Sequence, residues 1–451
     1  MPFAPKWLLE LDKKFEDSGY ELFLVGGAIR DKLLGLPVKE YDLATSAEPE
    51  ETEKLIRAFG CKCIGTVGKR FGTITGNFQG ETIEITTYRS ESYEEFSRQP
   101  AVKYGKDIHE DLSRRDFTIN AIAFNLKEQE ILDPFDGQKH LKSGLIKAVG
   151  VARDRFNEDP LRMLRAIRFA TLFDFEIEQA TYEAIHTQKD RMGVLSAERI
   201  SQEMNKLLLA DKPSKGIQLL VETGLIAYVL PELIPAIDIE FDPHEHKDIY
   251  RHILQVLDNT PPKLELRWTA LLHDIARPVT RKKIGGQYYF LGHENVGGRM
   301  SKDILSRLKM PGDISNRIVK IVRLHQRLPN YDGHWTDGGI RRFVRDSGEV
   351  IDDLFAFAAA DATGSNEKKK AQYQDNRDKL YKRIKELEQE AEIAKIKSPL
   401  SGEELMELFH RPAGPWIKPI KEELLRMVLD GEIKESDKDK ATEVAKKLIK
   451  S

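Results

Sequence analysis

Strand-forming patterns are concentrated at the start of this chain. Within roughly the first 145 of its 451 residues, short β-branched runs alternate with helical stretches. Beyond about Arg153 the apolar spacing is that of helices. Such a chain is expected to fold as an α+β protein, a small mixed head followed by helical parts. In the head, residues 21–25 read as a strand, and Gly26-Gly27 then opens a helix. Residues 73–77 and 82–87 read as two arms joined across Gln79-Gly80. From Arg153 to Ile237 the pattern is helical throughout, with breaks at 174–176, 192–195, 211–214 and 223–224. Residues 244–361 stay helical but become rich in histidine, with one β-like interruption at 285–291. A highly charged helical stretch follows over 367–397. A last helical unit runs from Ser401 to the end, turning at Pro412, Gly414 and Pro415.

At this length the chain predicts two to four domains. No apolar run reaches the ~18 residues that span a bilayer, and residues 1–10 carry no basic-then-apolar signal pattern. The two cysteines, Cys61 and Cys63, are too close for an unstrained bridge and have no second pair to complete a zinc site. A reduced cytoplasm is the simplest setting. The net charge of −3 means that any RNA site must be a local basic surface.

The first chemical constellation begins at Leu24-Val25-Gly26-Gly27-Ala28-Ile29-Arg30-Asp31. Two glycines at a strand-to-helix turn let backbone N–H groups approach a phosphate, and Arg30 lies one turn in. Glu40-Tyr41-Asp42 follows. On a strand, residues i and i+2 share a side, so Glu40 and Asp42 could hold a pair of Mg²⁺ ions. Glu84, flanked by apolar Ile83 and Ile85, points opposite to them and is the candidate third acid. Arg114-Arg115-Asp116 precedes a strand-like run and could meet phosphate or ribose. Glu158-Asp159-Pro160 suits a helix start, with Asp159 as cap. Arg162, Arg165 and Arg168 then lie along one broad face, away from Leu164, Ile167 and Phe169. Each piece alone also reads as an ordinary turn, solvated acid or surface ion pair.

In order along about 150 residues stand VGGAIRD, the acid-x-acid before LAT, IEITTYR, RRDFTINA and EDPLRMLRAIRFA. Together they resemble the class II tRNA nucleotidyltransferases and bacterial poly(A) polymerases. The resemblance implies a nucleotidyltransferase head followed by an all-α neck and body, an α-helical HD domain and a helical tail. We place these at 1–145, 146–240, 241–366 and 367–451. It also implies that Glu40 and Asp42 hold Mg²⁺ with Glu84 as the third catalytic acid. Gly26, Gly27, Arg30 and Arg115 would bind the nucleotide. Asp159 and Arg162 would pair with the incoming base, and Arg165 and Arg168 would add contacts. Residues 89–103 resemble the family's flexible loop that switches addition from C to A. One departure is Glu40, where the family usually has aspartate. The extra methylene bears on rate or metal preference, since Mg²⁺ demands near-octahedral geometry.

A second constellation lies in the middle of the chain. His273-Asp274 follows the apolar Trp268-Thr269-Ala270-Leu271-Leu272, with His252 before and His293, His325 and Asp361 after. Such a set suits a buried divalent transition-metal centre. It resembles HD-domain phosphohydrolases: His252, His273, Asp274 and Asp361 match the core ligands, and His293 and His325 match extra ones. Arg277 stands where those proteins usually have lysine. The implied activity is transfer of CMP and AMP from CTP and ATP to a tRNA 3′ end, with release of pyrophosphate. Poly(A) polymerisation and A-only addition share the same motifs. A phosphohydrolase whose head only binds RNA is the rival from another class, and Glu40 is the feature that favours it.

Overall fold

The computed structural model describes all residues except 1–2, 39, 67, 70–71, 93–100, 106, 239–247, 364–366, 396, 430–431 and 450–451. The chain divides into two compact units, Met1–Arg323 and Leu324–Ser451.

The first unit opens with a mixed sheet. Its strands are β1 (Leu22–Val25), β2 (Glu40–Thr45), β3 (Lys62–Gly65), β4 (Thr73–Phe78), β5 (Glu81–Thr87), β8 (Ala123–Asn125) and β9 (Glu130–Leu132). Between β5 and β8, β6 (Arg89–Ser92) pairs with β7 (Ala101–Tyr104) as a separate ribbon. The sheet order is β3-β4-β5-β2-β1-β8-β9. Leu22, Phe23, Leu24 and Val25 are all buried, as expected of a central strand covered on both faces. On β5, Ile83 and Ile85 are buried while Glu84 faces away from them. The β4–β5 turn forms at Gln79 (φ 56°) and Gly80 (φ 93°), two left-handed residues of the kind a tight hairpin needs.

The helix Leu161–Phe173 is buried over most of its surface and packs its Phe169 edge-to-face on Phe117 of the head, centroids 5.9 Å apart. It ends at Asp174, left-handed at φ 55°. The chain then turns back so that β11 (Glu176–Ile177) pairs in parallel with β10 (Leu145–Ile146). This stretch was expected to be a plain helix break; two residues are too few to leave a strand signature. The run after Asp116 is likewise a 3₁₀ turn over Thr118–Asn120, not a strand.

The histidine-rich helices Ile249–Asn259, Leu264–Leu272 and His293–Arg307 belong to the same unit. Trp268 is fully buried and its indole N–H donates to Asn205 Oδ1 at 2.8 Å, tying this part to the helix Ala197–Leu208. The β-like interruption is a full hairpin, β12 (Arg281–Ile284) and β13 (Gln287–Phe290), turning at Gly285 (φ 60°) and Gly286 (φ 86°). Among the described residues no helix is long and apolar enough to cross a membrane.

In the second unit, the long helix Glu367–Lys395 packs on the helices Asp337–Ser347 and Ile351–Asp361. Arg383 pairs with Asp337 at 2.7 Å, and the rings of Phe355 and Tyr381 lie 5.1 Å apart. The C-terminal helices have a core of their own around Leu405, Leu424 and Ala441. Ser401 and Glu404 form a capping box at its entrance.

Candidate active site and histidine-aspartate cluster

The parallel register of β2 and β5 sets Asp42 directly opposite Glu84, and Glu40 opposite Thr82. Alternation keeps Glu40 and Asp42 on one side of β2. Three carboxylates therefore share one face of the sheet. Burial raises the Glu84 carboxyl, and Asp42 and Glu40 raise it further. Burial also raises Asp42 with help from Glu40, against the opposing pull of Arg115, the Gly27 N–H and Arg30. Like charges crowded in this way favour a bound cation, and an all-oxygen donor set suits a hard one.

The glycines lie against this face. Gly26 has φ 64° and ψ −128°, and a Cβ there would lie 2.8 Å from Arg115 Nη1. A Cβ on Gly27 would lie 3.3 Å from Asp42 Oδ2. Small residues are thus needed for the chain to pass beside the acid.

Arginines surround a cavity of about 540 Å³. Among the described residues its wall includes eight of them, among them Arg30, Arg89 and Arg199, and four acids. That excess suits a triphosphate. Arg30 donates from Nη1 to Asn120 Oδ1 at 2.8 Å and lies 4.8 Å above the Phe173 ring. Asn120 Nδ2 donates to Asp116 Oδ1 at 2.9 Å, and Arg165 Nε donates to Asp116 Oδ2 at 2.7 Å. Burial alone would raise the Asp116 carboxyl; Arg165, Asn120 and the Phe117 N–H outweigh it and hold it at about 2. Arg115 donates to Asp111 Oδ2 at 3.0 Å, and Arg168 pairs with Glu203 at 2.6 Å. Arg162 donates from Nη1 to Glu158 Oε2 at 2.6 Å and from Nη2 to the Arg114 carbonyl at 2.8 Å. Asp159 accepts from the Leu161 N–H at 3.1 Å and from Arg199 Nη2 at 2.7 Å. Pro160 occupies the cap position itself, one residue later than expected.

Glu40 sits at the exposed start of β2 and does not line the cavity, whereas Asp42 and Glu84 do. Of residues 89–103, 93–100 lie outside the described residues. The structure adds Arg199 and Asn120, which the sequence alone does not single out, to the cavity wall. Phe169, expected apart from the arginines, instead lies among them, with Arg168 4.1 Å and Arg30 5.1 Å from its ring.

A second cluster forms in the same unit. His273 caps the helix Leu264–Leu272, and His252 comes from the helix Ile249–Asn259. Their Nε2 atoms are 3.3 Å apart. Asp274 Oδ2 is 3.2 Å from His273 Nε2 and 3.5 Å from His252 Nε2, and Asp274 Oδ1 is 3.3 Å from His293 Nε2. All four residues are buried. His273 Nδ1 bonds the Ala270 carbonyl at 2.9 Å and His293 Nδ1 the Phe290 carbonyl at 2.8 Å. A carbonyl on Nδ1 fixes the tautomer with the Nε2 lone pair turned to the shared centre, the usual arrangement behind a metal-ligating histidine. Burial would raise the Asp274 carboxyl, but His273 and Arg277 hold it well below the ordinary range. His252, His273 and Asp274 can thus offer two imidazoles and a carboxylate to one divalent ion. His325 and Asp361 belong to the second unit, His325 following the helix Gly312–Leu324 and Asp361 ending Ile351–Asp361.

Comparison with known proteins agrees with this organisation. Residues 22–147 match the poly A polymerase head domain, 174–237 a probable RNA and SrmB-binding site of polymerase A, and 248–396 the HD domain. The CCA-adding enzyme of Geobacillus sp. (strain WCH70) is 32% identical over 94% of this chain and 93% of its own. That of Geobacillus thermodenitrificans is 31% identical over 96% and 94%. Among solved structures, the Bacillus stearothermophilus CCA-adding enzyme in complex with CTP is 26% identical, with a TM-score of 0.65 over 99% of this chain and 97% of that one. The Thermotoga maritima CCA-adding enzyme complexed with tRNA shares the fold at 20% identity and a TM-score of 0.56, over 99% of this chain and 95% of that one. The chain belongs to the CCA-adding enzymes, the tRNA nucleotidyltransferases built on a poly(A)-polymerase-type head.

Proposed function

We propose that the arginine-lined cavity of the head is where this enzyme adds CMP and AMP to a tRNA 3′ end, with Asp42, Glu84 and Glu40 as its catalytic acids. The observation that carries the assignment is the Asp42–Glu84 pair across the β2–β5 ladder, facing the cavity. Nucleotidyltransferases of this family use a divalent metal. The oxygen donors here fit Mg²⁺, which when bound supplies Lewis-acid activation of the 3′-hydroxyl and charge neutralisation at the leaving pyrophosphate. Gly26, Gly27, Arg30, Arg115, Arg165 and Arg168 hold the triphosphate and ribose in line for attack on the α-phosphorus. Asp159 and Arg162 read the base edge. For that, Arg162 exchanges its bonds to Glu158 and the Arg114 carbonyl for bonds to the base. Catalysis needs no covalent intermediate. The chain acts in a reducing cytoplasm, in keeping with the free, buried Cys61. We assign residues 1–145 to the head, 146–240 to the neck and body, 241–366 to the HD domain and 367–451 to a tail that helps hold tRNA.

The test is incubation with tRNAs ending before CCA, after CC and complete, each with CTP, ATP, GTP or UTP alone. Addition of C to the first, A to the second and nothing to the third is the expected pattern. Repeated A addition to any end would make the enzyme a poly(A) polymerase instead. A second activity is supported by the inward-facing Nε2 atoms of His252 and His273 beside Asp274. We assign to it a divalent transition metal, which when bound lowers the pKa of water for attack on a phosphate ester.

A further inference from the structure

From Arg277 to Gly292 the chain has four basic residues, three aromatic ones and no acid. The β12–β13 ladder pairs every cation with a ring or an apolar neighbour: Arg281 faces Phe290, Lys282 faces Tyr289 and Lys283 faces Tyr288. The two faces of this ribbon differ. On one, Arg281 lies 3.6 Å and Lys283 4.9 Å from the Tyr288 ring, and Arg277 lies 5.3 Å from Phe290. That face is satisfied internally. The other carries Lys282, Ile284, Gln287 and Tyr289, all exposed, with Tyr289 41% and Ile284 54% accessible.

Both ends of the ribbon are fastened to the histidine-aspartate cluster. Arg277 Nε lies 2.7 Å from Asp274 Oδ1, and the Phe290 carbonyl accepts from His293 Nδ1 at 2.8 Å. The strands are four residues long, roughly 13 Å. Whatever lies along the outer face therefore ends close to the cluster. A ring with an open π-face next to a cation, in a segment free of acids, complements a chain of stacked bases joined by phosphates. An acidic peptide would use the cations but leave the open ring without a stacking partner.

We propose that the outer face of the β12–β13 hairpin binds the single-stranded 3′ end of an RNA, with a base stacked on Tyr289 and a phosphate held by Lys282, and leads that end to the histidine-aspartate cluster. The inference is about binding, and it rests on the proposed phosphohydrolase reading only for the fate of the bound end.

The test uses the full chain and a short oligoribonucleotide carrying a 3′-terminal 4-thiouridine. Photocrosslinks are mapped by mass spectrometry and affinity is read by fluorescence anisotropy. We expect crosslinks within residues 282–289. Tyr289→Ala should weaken binding about tenfold, in the range for losing one stacked base. Lys282→Glu should weaken it too and flatten its salt dependence. Both variants should leave C addition to tRNA unchanged. Because Lys282→Glu keeps the ring, it serves if Tyr289→Ala does not fold. Crosslinks confined to the head, or unchanged affinity in a folded variant, overturn the inference. Hydrolysis of a 2′,3′-cyclic mononucleotide is measured in parallel. Hydrolysis without hairpin crosslinks sinks this inference alone, while crosslinks without hydrolysis sink only the phosphohydrolase reading.

Discussion

Arg199 Nη2 donates to Asp159 Oδ2 at 2.7 Å, joining the helix Ala197–Leu208 to the residue that begins the turn into Leu161–Phe173. Asp159 is thereby held at the cavity wall by a cation from a separate helix. Arg199→Ala frees the carboxylate to rotate. The expected result is roughly tenfold more UTP incorporation relative to CTP, on the scale of a base-edge contact, with a smaller change in kcat. Arg199→Lys should restore part of the discrimination. An unchanged CTP/UTP ratio in Arg199→Ala would show that Asp159 needs no such support.

Asp116 joins Arg165 to Asn120 in the wall of the cavity. Its carboxyl is held at about 2, below its ordinary 3.8, by Arg165 and Asn120 despite burial. A depressed carboxyl contributes stability that is fully present above the unfolded value and lost as pH falls through the folded one. Asp116→Asn should therefore cost about 2 kcal/mol at neutral pH. The gap to wild type should narrow below pH ~4 and close near pH ~2. Urea unfolding across that range measures it, and a gap independent of pH would refute the account.

Asp42→Ala should reduce nucleotide addition by more than about a hundredfold, exceeding what loss of an outer-shell partner costs a metal site. Glu40 tests geometry more gently. Because it stands at the exposed edge of the acidic face, Glu40→Asp is expected to keep activity and change the ratio of rates with Mn²⁺ and Mg²⁺. Near-normal addition by Asp42→Ala would remove the acid face from the chemistry.

Asp274→Ala should lose bound metal after equilibration with Ni²⁺, Co²⁺ or Mn²⁺, read by elemental analysis, and with it any hydrolysis of cyclic phosphates. CCA addition should persist. Equal metal content in variant and wild type would leave this part of the chain as a tRNA-binding body alone.

What could be read beforehand depended on how local the signal was. Glu84 was findable because two isoleucines flank it on a strand, so alternation alone decides where it points. Its position opposite Asp42 is a matter of strand register, which is why the sequence gives the acids but not their pairing. Arg199 escaped notice because it is one polar residue on an amphipathic helix, and only tertiary packing brings it to Asp159. Phe169 was read as lying apart from the arginines, yet cation–π contacts place it among them. The β12–β13 hairpin was visible only as a β-like interruption at 285–291. Its first strand, Arg281–Ile284, carries three cations and lacks a strand-like composition.

The β2–β5 register also has a consequence for how the enzyme comes into being. Asp42 and Glu84 meet only when β2 pairs with β5 across the intervening chain that carries β3 and β4, so the acidic face closes through a long loop. The cavity wall further takes residues as distant as Gly26 and Arg199. A growing chain therefore holds no complete nucleotide site until Arg199 has left the ribosome and its helix has docked. Until then the acids of the head stand without the full arginine wall opposite them.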